Sequence, residues 1–344
     1  MSQPEITSSD AFETDVAVIG AGPVGLFAVF QCGMQKLSVQ VIDALEAIGG
    51  QCSALYPEKP IYDIPGRPAV LAEALIDSLA AQAAPFHPRY HLDQQVTSLA
   101  AVDGCYRLET SKGVVIRAKA VIIAAGVGAF GPNKPPMERL ADFEDHSVQY
   151  MVARREKYRG KRVVIGGGGD SAVDWALSLS ELTEKLYLVH RRPKFRAAPE
   201  SVSRLQALAD EGKIELVVPY QLAALDGHAG KLEAVIVKDF DGGERRLDAD
   251  YLLPFYGLSQ NLGPIKDWGL GIERNHIQVD PATCQTNLAG VFAVGDVAHY
   301  PGKLKLILCG FSEAAMAAHA IQPLVHPDQP LNFEYSTSKG VPAS

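Results

Sequence analysis

The sequence predicts an α/β protein made of two Rossmann-like, three-layer domains, the second inserted into the first. Three observations carry that expectation. A glycine-rich turn, Gly20-Ala-Gly22-Pro-Val-Gly25, joins a short apolar run to a helical stretch. A second such turn, Gly167-Gly-Gly169-Asp-Ser-Ala172, begins 147 positions later in the same setting. After a Gly- and Pro-containing break at Gly257, Gly263 and Pro264, the strand pattern starts once more. The expected segments are therefore 1–126 and 259–344, forming one domain, and 127–258, forming the other.

The elements follow in chain order. Met1–Phe12 is polar and reads as a loose end. Asp15–Gly20 is a short apolar run ending in Gly, the pattern of a parallel strand buried on both faces. Pro23 suits an early helix position, and the helix is expected to reach about Lys36. Ser38–Asp43 gives the next strand and completes a βαβ unit. A helix over Ala69–Ala84 follows, then alternating runs at Gln95–Leu99, Tyr106–Thr110 and Val114–Ile116, and a separate buried strand at Ala120–Gly126. Gly128, Gly131, Pro132, Pro135 and Pro136 mark a linker. The pattern then repeats with a strand at Arg162–Gly166, a helix over Asp170–Glu184 and a strand at Leu186–His190, closing at Tyr251–Tyr256. Ile277–Asp280 and Val291–Gly295 are the last strands expected.

Composition narrows the class. Apolar residues make up 47% of the 344 and charged residues 21%, ordinary for a folded globular chain. The net charge of −8 argues against a nucleic-acid binder, which needs a basic face. Val16–Gln35 carries no charge and is long enough to span a bilayer, but it contains five Gly or Pro residues and follows Glu13 and Asp15. Neither a span nor a secretory leader is expected there. The five cysteines form no C-x-x-C pair, so neither a disulfide framework nor a zinc cluster is expected, and the cytoplasm is the natural compartment.

The glycine turns carry the chemistry. In the first, Gly20 permits the tight turn, Gly22 lets a pyrophosphate approach the backbone, and Gly25 lets the helix pack on the strand. The helix start offers free N–H groups and a positive dipole end to phosphate. Asp43, at the end of the next strand, is placed to accept ribose hydroxyls. In the second turn Gly167 and Gly169 keep their roles and Ala172 replaces the third glycine. The position matching Asp43 is followed by Arg191, Arg192 and Arg196. Guanidinium groups bind a 2′-phosphate by charge-assisted forks, so this site is expected to take NADP. Thr286–Asp296 resembles the second FAD fingerprint of two-dinucleotide-domain flavoproteins. That assigns FAD to the first turn, with Asp296 beside it.

Longer motifs make the resemblance specific. Gly49–Lys59, Ile61–Gly66, Asn261–Gly269 and the tail Tyr335-Ser-Thr337 are similar to those of the ferredoxin–NADP reductases of thioredoxin-reductase-like type, and the likeness runs from about Thr14 to Lys339. It implies FAD contacts at Asp43, Gln51, Val96, Phe130, Asp296 and Thr337, with Tyr56 stacked on one face of the flavin ring and Tyr335 over the other. Thioredoxin reductases carry C-x-x-C before the second glycine turn; here Ser147–Glu156 has no cysteine. Glutathione-reductase-like enzymes carry C-x₄-C; here Cys52 is followed at the second position by Pro57. A redox disulfide is therefore not expected, and Cys52 reads as a packing residue.

The implied activity is electron transfer between NADPH and a ferredoxin or flavodoxin. Hydride passes from NADPH to flavin N5, and electrons then leave singly. The cofactors carry this chemistry, so no acid–base catalytic residue is expected. The resemblance also implies a homodimer. Ferredoxins are acidic, so docking needs a local basic face; either the run Arg154, Arg155, Lys157, Arg159, Lys161 and Arg162, or the pair Lys303 and Lys305, is available. An NADPH oxidase or quinone reductase, or a non-catalytic FAD/NADP redox sensor, would share both dinucleotide sites.

Overall fold

The first apolar run and the first glycine turn set the architecture. The computed structural model describes residues 11–144, 146–329 and 340, with backbone only for 129–131 and 258–260. The chain forms two units, one from residues up to Phe130 and from Gln260 onward, the other from Gly131 to Ser259.

In the first unit β1 (Phe12–Ile19) leads through the glycine turn into α1 (Pro23–Met34) and then β2 (Val39–Ile42). α2 (Ala72–Ala83), β3 (Arg89–His91), β4 (Val96–Val102), β5 (Cys105–Thr110) and β6 (Val115–Ile123) follow. The strands order as β3-β2-β1-β6-β5-β4. β1 pairs in parallel with both β2 and β6. Alternation along β1 explains the layers. Val16 and Val18 face one side and share a core with Val29 and Cys32 of α1, whereas Ala17 and Ile19 face the other side with Leu262, Ile265 and Trp268. A parallel strand buried on both faces needs apolar residues throughout, which is why this segment shows no helical periodicity.

One expectation is corrected. The runs Val114–Ile116 and Ala120–Gly126 are not separate strands: β6 is a single nine-residue strand. Its first half pairs antiparallel with β5, from Tyr106↔Ala118 to Glu109↔Val115. Its second half, at Val121–Ile123, accepts a different, parallel neighbour that arrives from the end of the chain. Lys119 interrupts the apolar run in sequence because it is exposed and bonds Asp15 at 2.9 Å.

The second unit repeats the plan. β7 (Arg162–Gly166), α3 (Asp170–Leu179), β8 (Lys185–Val189), α4 (Pro199–Asp210), β9 (Glu215–Val217), β10 (Gln221–His228), β11 (Lys231–Lys238), β12 (Glu244–Asp248) and β13 (Tyr251–Pro254) occur in that order. A parallel sheet runs β9-β8-β7-β13, and an antiparallel sheet runs β10-β11-β12. Val164, Val189, Val217 and Leu252 of the parallel sheet share a core with Leu222, Val235, Val237 and Leu247 of the antiparallel one. The antiparallel sheet thus takes the place of a helix layer on that face.

Back in the first unit, β14 (Val291–Ala293) is the parallel neighbour of β6, and α5 (Ile307–Val325) packs against α1. Among the described residues no helix is long and apolar enough to cross a membrane. The uncharged stretch Val16–Gln35 is instead strand, turn and α1.

Candidate functional site

The first glycine turn owes its shape to three different constraints. Gly20 has φ +112°, and a Cβ there would lie 2.3 Å from the carbonyl oxygen of Ala124. At Gly25 a Cβ would meet the oxygen of Gly20 at 1.9 Å, so α1 lies flat on the turn only because that residue lacks a side chain. Gly22 differs: a Cβ there meets nothing within 4 Å. Its backbone is extended (φ −69°), so glycine is not needed there for conformation. The space in front of it belongs to a cleft, also lined by Gly20, Asp43, Gln51, Tyr56, Val96 and Asp296. Seven of the residues expected around FAD are thus brought together, and Gly25 lies beneath them.

The donors and acceptors in this cleft suit a dinucleotide. Asp43 Oδ2 accepts the N–H of Ala21 at 2.6 Å and Oδ1 that of Leu45 at 2.8 Å. The carboxylate therefore shapes the turn, and its remaining lone pairs stay free for ribose hydroxyls. Burial raises its pKa, against the lowering effect of those two N–H groups. The Asp296 carboxylate has no hydrogen-bond partner among the described residues, yet lines the cleft at the turn Gly295–Val297. Burial likewise pushes the Tyr56 phenol up, keeping it neutral.

Cys52 also lines the cleft, 1% exposed, and its Sγ donates to the Tyr56 hydroxyl at 3.9 Å. Burial pushes its thiol up to about 11, with the hydroxyl opposing and Asp296 adding to the rise. A protonated thiol is a poor nucleophile at neutral pH. All five cysteines are free.

The second turn follows the same logic. Gly167 has φ +152°, and a Cβ there would come 2.7 Å from the oxygen of Phe255 and 2.9 Å from Cβ of Ala172, a fully buried residue. At Gly169 a Cβ meets nothing within 4 Å. Gly167, Gly169, Arg191, Arg192 and Arg196 line one cleft. Arg196 also ties its backbone N–H to the oxygen of Gly168 at 2.7 Å. His190 packs over Gly168, and its buried Nε2 has no partner in the described residues. Burial, then the charges of Arg191, Arg192 and Arg196, lower its pKa despite a backbone bond at Lys194. Arginines beside open backbone N–H groups form a donor set for phosphate, whereas the neutral His190 ring, which donates its other N–H at Lys194, presents Nε2 as an acceptor.

Three expected contacts cannot be placed. Tyr335 and Thr337 lie outside the described residues, and for Phe130 only the backbone, in the strand Ala129–Pro132, is described. The sequence reading missed Gln94, Gln95, Trp268 and Ile307 in the first cleft and Tyr220 and Tyr256 in the second. Trp268 lies in the Asn261–Gly269 motif, where no role was read for it; the others sit in no fixed-spacing motif and arrive through tertiary packing.

One basic docking candidate, Lys303, needs correction. Lys303 is only 3% exposed and pairs with Glu313, so it offers no surface charge. Lys305 bonds His276 Nε2 at 2.7 Å. In the other cluster Arg159 bonds Glu156 at 2.8 Å and Arg162 bonds Asp250 at 2.9 Å. Their charges are partly neutralised within the unit.

Two dinucleotide clefts on two Rossmann-like units define a flavin- and nicotinamide-dependent oxidoreductase. The profile of the pyridine nucleotide-disulphide oxidoreductase family matches residues 14–320. A relative from Rhodospirillum rubrum is 63% identical, covering 98% of this chain and 99% of its own. Another, from Acidiphilium cryptum, is 60% identical over 98% of this chain and 99% of its own. Both are named ferredoxin–NADP reductase. Among solved structures, T. acidophilum thioredoxin reductase superposes with a TM-score of 0.78 at 24% identity, covering 90% of this chain and 98% of that one, a likeness of fold. The chain belongs to the pyridine nucleotide-disulphide oxidoreductase family, and within it to the ferredoxin–NADP reductases.

Proposed function

We propose that the protein transfers electrons between NADPH and ferredoxin through bound FAD, without a redox disulfide. The contrast between the two clefts carries this reading: a carboxylate ends the first and three arginines surround the second. FAD belongs to residues 1–126 and 259–344, and NADP to residues 127–258. Bound FAD supplies a centre that takes two electrons as hydride and releases them singly.

The chain's own residues bind and orient. Gly20, Gly22 and Gly25 open the backbone to the FAD pyrophosphate, and Asp43 holds the adenosine ribose. Gln51, Val96, Phe130, Asp296 and Thr337 contact the rest of FAD, with Tyr56 and Tyr335 on opposite faces of the ring. Gly167, Gly169 and Ala172 form the NADP turn, and Arg191, Arg192 and Arg196 hold the 2′-phosphate. No side chain is assigned a proton-transfer step, because hydride transfer needs positioning rather than an acid or base. Flavodoxin as an alternative acceptor, a homodimeric assembly and a cytoplasmic location complete the reading, the last supported by cysteines that are all free thiols.

Anaerobic mixing of the FAD-loaded protein with NADPH, followed by turnover with ferredoxin, quinone and oxygen, tests the proposal. Flavin bleaching and a clear preference for ferredoxin are expected. Absence of bleaching indicates a sensor; preference for quinone or oxygen indicates an oxidase or quinone reductase.

The tail gives a separate prediction. Ending the chain before Tyr335 removes one ring stack, worth about 0.5–1.5 kcal/mol beyond area. FAD should still bind, with an altered absorbance band and faster NADPH oxidation in air. Wild-type spectra and rates in the truncated protein would remove Tyr335 and Thr337 from the site.

A further inference from the structure

One buried ionic cluster lies behind the flavin cleft and is unused by the reading above. Glu313 sits in α5 among mostly apolar residues, and its side chain is 3% exposed. A carboxylate taken out of water is costly unless charged and hydrogen-bonding partners meet it. Here Oε2 accepts the N–H of Gly295 at 2.7 Å. Oε1 accepts the hydroxyl of Tyr300 at 2.7 Å and also pairs with the Lys303 ammonium. Lys303 is equally buried, at 3% exposure.

The partners bracket Asp296. Gly295 immediately precedes it, and Tyr300 and Lys303 close the same loop, so one carboxylate clasps both ends of Gly295–Lys303. Gly310, one helical turn before Glu313, allows the approach. A Cβ there would lie 2.4 Å from Val24 Cγ2 and 3.3 Å from the Cα of Gly295. Val24, Gly295 and Asp296 all line the first cleft. The start of α5 therefore registers the Asp296 turn against the first glycine turn.

We propose that Glu313 is a positioning residue for the flavin site: it holds the Gly295–Asp296 turn so that the Asp296 carboxylate faces the cleft. Lys303 neutralises the clasp, so the turn is held without adding net charge behind the flavin. This rests on the reading that FAD occupies the first cleft.

A double-mutant cycle on FAD affinity tests it, read by fluorescence titration of apoprotein. Glu313→Gln should weaken FAD binding on the order of tenfold, the loss of one hydrogen bond to a charged group. Asp296→Asn should weaken it too. In the Asp296→Asn background, Glu313→Gln should add less than about twofold, because Glu313 acts through Asp296. The flavin midpoint potential supplies a readout that simple loosening would not sort by sign. Glu313→Gln leaves the Lys303 charge uncompensated and should raise the potential; Lys303→Met leaves Glu313 uncompensated and should lower it. The pair Glu313→Gln/Lys303→Met should return it to the wild-type value.

If either single variant fails to fold, the charge-neutral pair carries the affinity cycle with Asp296→Asn. Additive losses in that cycle, or potentials that shift in the same direction in both single variants, would overturn the proposal. A wild-type apoprotein that takes up no FAD overturns instead the assignment of FAD to the cleft, and is seen before any variant is made.

Discussion

Gly22→Ala is expected to give a folded protein that has largely lost FAD, whereas Gly25→Ala is expected to damage the FAD-binding unit itself. The two glycines are three residues apart, yet face opposite surroundings. A methyl at Gly22 meets no protein atom within 4 Å, so the fold has room for it. That room lies in the cleft, where the methyl takes the space a pyrophosphate needs. Losing one or two charge-assisted hydrogen bonds, at about 1.5–3 kcal/mol each, corresponds to roughly a 100-fold weaker dissociation constant. A methyl at Gly25 would sit 1.9 Å from the Gly20 oxygen, a backbone atom that cannot swing aside. α1 must lift from β1, at a cost of about 1–3 kcal/mol or more for overpacking. Apoprotein melting curves and FAD titrations separate the outcomes. A Gly22→Ala protein that binds FAD like wild type would show that no phosphate passes that backbone.

Changing Arg191 and Arg192 together to alanine should cut the preference for NADPH over NADH by about 100-fold. Both side chains are exposed beside the second cleft, so screening places each lost bond near the low end of 1.5–3 kcal/mol. The loss should appear mainly as a raised KM for NADPH, with NADH little affected, because NADH carries no 2′-phosphate. Lysine at both positions should give an intermediate result, keeping charge but not the planar fork. An unchanged preference in the alanine variant would mean that the 2′-phosphate is held elsewhere.

Local sequence made the two turns legible. Gly20, Gly25 and Gly167 are dictated by backbone contacts within the turn or with a neighbouring strand, and Gly22 and Gly169 border open cleft space at fixed offsets from them, so spacing reveals the set. Asp43 was legible for the same reason: a strand of fixed length carries it from the turn to the ribose end. β6 was misread because the half-buried Arg117 and the exposed Lys119 break its apolar run, although Val115, Ile116 and Ala118 around them are buried. α5 was missed because no side chain caps its start at Leu306, and its small apolar residues show no polar face. Glu313, Lys303 and Gly295 meet only in the folded chain. Lys303 looks like surface charge in sequence, but the loop turns it inward and leaves Lys305, two residues on, exposed.

The central claim is that electrons leave the flavin for a one-electron carrier with no cysteine on the route. It is tested most directly by replacing Cys32, Cys52, Cys105, Cys284 and Cys309 together with Ala or Ser and measuring NADPH-dependent reduction of ferredoxin and of thioredoxin side by side. Three of the five are buried at 1% exposure or less, so some stability will be lost, and rates must be referred to bound FAD. The account predicts ferredoxin reduction near the wild-type rate per bound FAD, and no thioredoxin reduction by either protein. Loss of ferredoxin turnover in a folded, FAD-loaded variant, or thioredoxin reduction by the wild type that disappears with the cysteines, would contradict it.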